Sequence, residues 1–293
     1  MQRLLACLAM ALGLLAGTLT IPTAGADTIN VQPAGTAPIP EGPAGAWILA
    51  DMDTGQILAG HNEEQQSPPA STIKTLLAQV VLDEVPLDST IVATDADTRV
   101  ECNCAGVAPG QTYTARQLLD GLLLVSGNDA ANTLARMLGG PDAAVTKMNA
   151  KAALIGAYGT NVGSPSGIDA PGMAMWSTPH DLAVIFRNAM SYPVFAQITA
   201  QPSASFPTKT GDKVLVNQDE LLHRYPGTLG GKTGFTDLAR KTFVGAAERD
   251  GRRLVVAMMY GLVHEGGPTY WDQAASLLDW GFALDRGSSV GTL

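Results

Sequence analysis

The feature that most narrows the fold is where the strand-like stretches fall: at the two ends of the chain, with a long helical stretch between them. Ala46-Trp47-Ile48-Leu49-Ala50 and Gln56-Ile57-Leu58-Ala59 are short and apolar. They are separated by Asp51-Met52-Asp53-Thr54-Gly55, a turn composition, and so predict a hairpin. Near the other end, Gly230 to Phe235, Lys241 to Glu248 and Arg253 to Tyr260 read as three strands, the last two joined through Arg249-Asp250-Gly251-Arg252. Ser71 to Glu84 reads as a helix, with apolar residues at 73, 76, 77, 80, 81 and 82 and an extended approach set by Pro68-Pro69. From about 86 to 200 the pattern is Ala- and Leu-rich and mostly helical. Within it, Thr178-Pro179-His180-Asp181 has the composition of a helix start. Trp271 to Leu284 reads as an amphipathic closing helix. The class this predicts is α+β: one antiparallel sheet built from both chain ends and flanked by helices, with an all-α subdomain inserted in the middle and a cleft between the two parts.

The first residues read as an address. Arg3 precedes the uncharged run Leu4 to Leu19, and Pro22 and Ala24-Gly25-Ala26 follow it. This predicts a secretory signal peptide over 1–26, cut before Asp27. Left uncut, Leu4 to Pro22 is close to the ~18–20 residues a membrane span needs. No later apolar run reaches that length, so no integral membrane segment is expected after cleavage. Residues 27–44, rich in Pro, Gly, Thr and Ala, read as a leader or linker, 45–285 as the main domain and 286–293 as a tail. With 18 Lys and Arg against 27 Asp and Glu, the net charge is −9, which argues against nucleic acid as a partner. Export permits a disulfide between Cys102 and Cys104. A bridge there lies far in sequence from the strings discussed next, so its role is expected to be stability rather than chemistry. His61, His180, His223 and His264 show no ligand spacing, and neither a metal nor a cofactor is expected.

Three short strings carry candidate chemistry. Ser71-Thr72-Ile73-Lys74 puts an amine one turn from a hydroxyl, on the same helix face. By itself it also describes an N-cap serine followed by a solvated lysine. Ser126-Gly127-Asn128 ends the apolar run Leu122 to Val125, and alone it is also a turn between helices. Lys232-Thr233-Gly234 has a duplicate in Lys209-Thr210-Gly211. Lys232 follows Gly230-Gly231 and opens the strand run, whereas Lys209 lies between Pro207 and Asp212 in a polar, loop-like stretch. Together, in this order, the strings are the S-x-x-K, S-x-N, K-T-G set of acyl-serine enzymes.

On these strings the sequence resembles the serine-type D-alanyl-D-alanine carboxypeptidases, the low-molecular-mass penicillin-binding proteins, and most of all their actinobacterial members. Pro165-Ser166-Gly167, Phe235-Thr236 and Leu277 to Phe282 add to the resemblance, which covers roughly 44 to 283. It implies a DD-peptidase/β-lactamase-like fold and hydrolysis of the terminal D-Ala-D-Ala bond of peptidoglycan stem peptides through an acyl-serine. It also implies inhibition by β-lactam antibiotics. Ser71 would be the nucleophile, Lys74 its base and Ser126 a proton relay. Asn128 would bind the substrate backbone, and Lys232, Thr233, Gly234, Phe235 and Thr236 would form the strand that holds the substrate. Of these, Lys232 and Thr233 would grip the terminal carboxylate, and the Ser71 and Phe235 amides would form the oxyanion hole.

The sequence departs from the pattern at Tyr270, where relatives often carry an arginine for the substrate carboxylate. This leaves Thr233 and Thr236 as the expected anchors. A DD-endopeptidase or transpeptidase would use the same site. A class A β-lactamase would need an E-x-x-L-N string, which the chain lacks. A penicillin sensor would need a transmembrane signalling segment.

Overall fold

The computed structural model describes residues 30–101, 103–261 and 266–293. The expected cleavage before Asp27, together with Cys102 and His264, lies outside the described residues. The chain starts with β1 (Asn30–Val31), β2 (Ala44–Asp51) and β3 (Gln56–His61), then enters a 3₁₀ turn (Ala70–Ile73) and α1 (Lys74–Glu84). Next come β4 (Thr90–Val92), α2 (Asp95–Thr98), β5 (Thr112–Thr114), α3 (Ala115–Leu124), α4 (Asn128–Met137) and α5 (Pro141–Leu154). They are followed by α6 (Pro179–Ala189), α7 (Pro193–Ala200), β6 (Ser203–Thr208), β7 (Gly211–Val216) and α8 (Glu220–Arg224). The last elements are β8 (Thr228–Thr236), β9 (Arg240–Arg249), β10 (Arg252–Gly261), α9 (Tyr270–Phe282) and β11 (Gly291–Thr292).

The main sheet has seven antiparallel strands in the order β1-β3-β2-β10-β9-β8, with β11 also paired to β3. It draws on both ends of the chain, as the strand pattern predicts. Its inner strands are apolar on both faces because both faces are covered. Ile48, Ala50, Val255, Ala257 and Met259 join the core under α1, α3 and α6. Trp47, Leu49, Leu254, Val256 and Met258 join the second core under α9. Asp250 and Gly251, both at positive φ, make the tight β9–β10 turn, the backbone that suits a right-twisted hairpin. β8 is the terminal strand on its side of the sheet.

Five regions differ from the sequence reading. The leader and the tail are not loose, since each contributes a short strand to β3, and the Trp280 indole donates to Ala37 O at 3.0 Å. The inserted part is not purely helical, because β4 and β5 form a two-stranded ladder within it. The stretch around Lys209 is a β-hairpin, with Pro207 opposite Asp212 and Lys209-Thr210 at its exposed turn. Only Phe206 and Leu215 of the hairpin are fully buried, Phe206 stacking on Tyr113, so the apolar pattern is too sparse to mark strands. The helix read from Ser71 begins as a 3₁₀ turn and becomes α-helical at Lys74. Among the described residues no helix is long and apolar enough to cross a membrane.

Candidate active site

The three strings converge. Ser71 sits in the 3₁₀ turn, directly after Ala70, whose φ of 50° is unusual for a residue with a side chain. The turn is pinned where it starts: Pro69 O accepts from Thr72 Oγ1 at 2.6 Å and from Thr242 Oγ1 of β9 at 2.9 Å. One turn on, Lys74 is fully buried, and its Nζ reaches Ser71 Oγ at 2.7 Å, Asn128 Oδ1 at 2.7 Å and Ser126 Oγ at 3.4 Å. Ser126 stands at φ 58° between α3 and α4, a backbone that turns its hydroxyl out of the helix pair toward the amine. Asn128 opens α4, and its Nδ2 donates to Glu101 O at 2.7 Å. Ser71 Oγ donates to Ser166 O at 3.3 Å, so the Pro165-Ser166-Gly167 segment closes the other side of Ser71.

The third string arrives on β8. Lys232 is 1% exposed, and its Nζ donates to Thr233 O at 2.6 Å. Gly234, two residues on and on the same strand face, lies against the Ser71 turn: a Cβ built there would stand 2.9 Å from Ser71 N and 2.3 Å from Thr242 Oγ1. Phe235 points outward, half exposed, with Lys241 Nζ 4.8 Å from its ring centroid. Lys209, the duplicate, is exposed on the β6–β7 turn and is not among the residues lining the cleft.

Electrostatics separate the two lysines from ordinary surface amines. Burial, reinforced by the nearby Lys232, pushes Lys74 well below the usual lysine range, against the opposing pull of Asp129. Burial pushes Lys232 down to about 7, with Asp219 acting the other way. Asp219 is itself buried, which raises its carboxyl to about 6, and its Oδ2 has no hydrogen-bond partner.

The cleft in front of Ser71 has a volume of about 850 Å³ and is lined by Ser126, Asn128, Thr233, Phe235, Thr236 and Tyr270, among others. The two threonines differ. Thr236 Oγ1 donates its one proton to Asp169 at 2.5 Å and accepts from Ala239 N at 3.0 Å. Among the described residues no partner engages the Thr233 hydroxyl. Tyr270, at the start of α9, is 8% exposed, its ring 4.5 Å from that of Trp271, and it brings no charge where the resemblance would place an arginine.

Sequence reasoning missed Asp129, Asp169, Asp219 and the loop around Asn103. Asp129 follows Asn128 directly, and Asp219 carries an N-cap signature ahead of Glu220-Leu221-Leu222; those were the available signals. Nothing in the sequence places Asp169 against Thr236. The loop bearing Cys104, which is disulfide-bonded, packs against the Ser126-Gly127-Asn128 string: Asn128 N donates to Asn103 O at 2.7 Å. The segment bearing Cys104 is therefore close in space to a string from which it is distant along the chain.

Comparison with known proteins identifies the family. The chain is 69% identical over 264 residues to the D-alanyl-D-alanine carboxypeptidase DacB2 of Mycobacterium tuberculosis, covering 90% of this chain and 91% of that one. A crystal structure of a D-alanyl-D-alanine carboxypeptidase from the same organism superposes with a TM-score of 0.88 at 69% identity, over 90% of this chain and all of the other. The Streptomyces K15 DD-transpeptidase superposes with a TM-score of 0.79 at 29% identity, over 85% of this chain and all of that one. The family model described as D-alanyl-D-alanine carboxypeptidase, Peptidase_S11, matches residues 33–261, and the chain belongs to that family.

Proposed function

We propose that this protein is a serine-type D-alanyl-D-alanine carboxypeptidase in which Ser71, Lys74 and Ser126 perform the chemistry. The observation that carries the reading is the Lys74 amine, fully buried and 2.7 Å from the Ser71 hydroxyl. Burial favours its neutral form, and a neutral amine at that distance is a general base. Lys74 takes the Ser71 proton as Oγ attacks the carbonyl of the penultimate D-alanine. The tetrahedral oxyanion is met by the Ser71 and Phe235 amides; the close packing of Gly234 on Ser71 N supports this pairing. Ser126, 3.4 Å from Lys74 Nζ, passes a proton to the departing D-alanine amine. Water then releases the shortened peptide from Ser71. Asn128 holds the substrate backbone, and Lys232 with the free Thr233 hydroxyl holds its terminal carboxylate. Thr236 enters that grip only by giving up Asp169. No step calls on a metal or cofactor.

The same proposal makes the protein an exported one, with 1–26 as signal, 27–44 as leader, 45–285 as catalytic domain and 286–293 as tail. Its partners are peptidoglycan stem peptides and, as inhibitors, β-lactams. One experiment tests these points together. Cells are labelled with a fluorescent penicillin, and the labelled band is sequenced from its N-terminus. The purified protein is then assayed for D-alanine release from a pentapeptide. Labelling at Ser71, a start at Asp27 and D-alanine release are expected. Ser71→Ala should lose label and release while remaining folded. Label retained by that variant overturns the nucleophile, and a start at Met1 overturns cleavage. The same assay on a cross-linked dimer and with an added amine acceptor separates endopeptidase and transpeptidase action, since all three share the acyl-serine.

A further inference from the structure

Asp129 is 1% exposed, and its carboxylate is filled by backbone donors. Oδ1 accepts from Ala105 N at 2.9 Å and Ala130 N at 2.8 Å; Oδ2 accepts from Gly106 N and Val107 N, both at 2.9 Å. Three of these four donors lie in the irregular segment that joins α2 to β5. That segment returns two carbonyls to Asn128, Asn103 O to its backbone N–H and Glu101 O to its Nδ2, each at 2.7 Å. With Nδ2 held there, the amide has one oxygen to present, and Oδ1 meets Lys74 Nζ at 2.7 Å. Unbroken bonding thus runs from Asp129 through the loop and Asn128 to the amine.

Asp129 also acts through space. The charged groups that bear on Lys74 are Lys232 from β8 and Asp129 from α4, opposite in sign. Asp129 also bears on the Tyr113 hydroxyl, from β5, and Lys213 of β7 reaches the same loop, its Nζ donating to Ala105 O at 3.4 Å.

We propose that Asp129 is a positioning residue for acyl transfer: its carboxylate clamps the loop that aims Asn128 at Lys74, and its charge offsets that of Lys232 at the same amine. The inference rests on Lys74 being the base. Removing a negative neighbour makes an ammonium give up its proton at lower pH. The acid limb of the acylation rate, which reports the free enzyme's base, should move the same way.

The test is the second-order rate of acylation by a fluorescent penicillin, followed across pH on the purified protein. Asp129→Asn keeps the side chain's shape. It removes the charge and turns an amide donor toward two N–H groups. Its plateau should fall about 10²-fold, the scale of a misaimed catalytic group. Its acid limb should move down by about one pH unit. Asp129→Glu keeps the charge but not the reach, so its limb should stay in place while its plateau falls. A limb that does not move in Asp129→Asn, or a plateau within threefold of wild type, overturns the proposal. If near-UV circular dichroism shows that Asp129→Asn is unfolded, Asp129→Glu decides, and a plateau within twofold overturns the clamp. Lys74→Ala keeps the two failures apart. Acylation surviving in that variant removes Lys74 as the base, whereas its loss together with an unmoved limb in Asp129→Asn removes only the role given to Asp129.

Discussion

Two lysines in one dry site behave as a unit. Each is fully enclosed, and the charge of Lys232 disfavours that of Lys74, which is the arrangement a reaction needing one neutral and one cationic amine calls for. Asp219, whose Oδ2 has no hydrogen-bond partner, favours the charged form of Lys232. This distinguishes the duplicate strings by experiment. Lys232→Ala should cost about 10²–10³ in acylation rate, the scale of a lost transition-state contact. Lys232→Arg should also be impaired, because a planar guanidinium does not fit the place of a compact ammonium. Lys209→Ala, at an exposed hairpin turn, should stay within about twofold of wild type. Rates measured side by side, with circular dichroism to confirm folding, check this; a dead Lys209→Ala beside an active Lys232→Ala would reverse the assignment. At this scale the sequence was most legible where a residue's chemistry is rare: a serine, a lysine and a threonine at fixed offsets. The acids that tune them were hidden, because an aspartate in a helix's first turn or cap looks the same whether or not it faces a lysine.

Among the elements, the irregular segments hold the geometry and the regular ones hold the positions. α1 and β8 bring Lys74 and Lys232 together, but the loop through Asn103, Cys104 and Ala105 decides how Asn128 lies. Its cysteine is disulfide-bonded, so reduction loosens a segment in direct contact with the S-x-N string. Mild reduction under conditions where the far-UV spectrum is unchanged should therefore lower the acylation rate several-fold. A rate unchanged after thiol titration confirms reduction would show that the carboxylate of Asp129 holds the loop unaided. The strands of the main sheet were readable because each carries a dense apolar run bounded by turn residues. β1 and β11 were not, since two residues carry no periodicity and their pairing is set by β3. The 3₁₀ turn that holds Ser71 was absorbed into the predicted helix because apolar spacing does not register which carbonyl an amide bonds.

At the scale of the whole molecule, the two ends of the chain are tied by one buried ion pair. Arg252 at the start of β10 meets Asp51 Oδ2 of β2 at 3.1 Å and donates to Gly281 O and Leu284 O, at and beyond the end of α9. Burial opposes the Asp51 charge, but the amides of Thr54 and Asp53 and the arginine outweigh it and hold the carboxyl below its usual range. Stability from this pair is therefore present above the unfolded carboxyl value and lost as pH falls through the lowered one. Arg252→Met should lower stability by about 3–5 kcal/mol at neutral pH. The deficit should shrink in strong acid, and the acylation rate of the folded fraction should be unchanged. Denaturant melts at several pH values check this; a deficit independent of pH would detach it from Asp51. The α+β class and the sheet's origin in both chain ends were legible in the sequence, but this tie was not, because residues 51 and 252 meet only once the sheet has formed.

The Ser71 turn is gripped from both sides at hydrogen-atom spacing. A Cβ at 167 would lie 2.0 Å from Ala70 O, and one at 234 would lie 2.9 Å from Ser71 N. In terms of the paths open to mutation, these two positions are walls rather than slopes. Every single-residue step away from glycine at either one presses on the backbone that carries Ser71. The cleft's rim, the hairpin turn at Lys209 and the exposed tail can change while Ser71 stays where it is. The dimension of the reacting centre is thus fixed by two side chains that are not there.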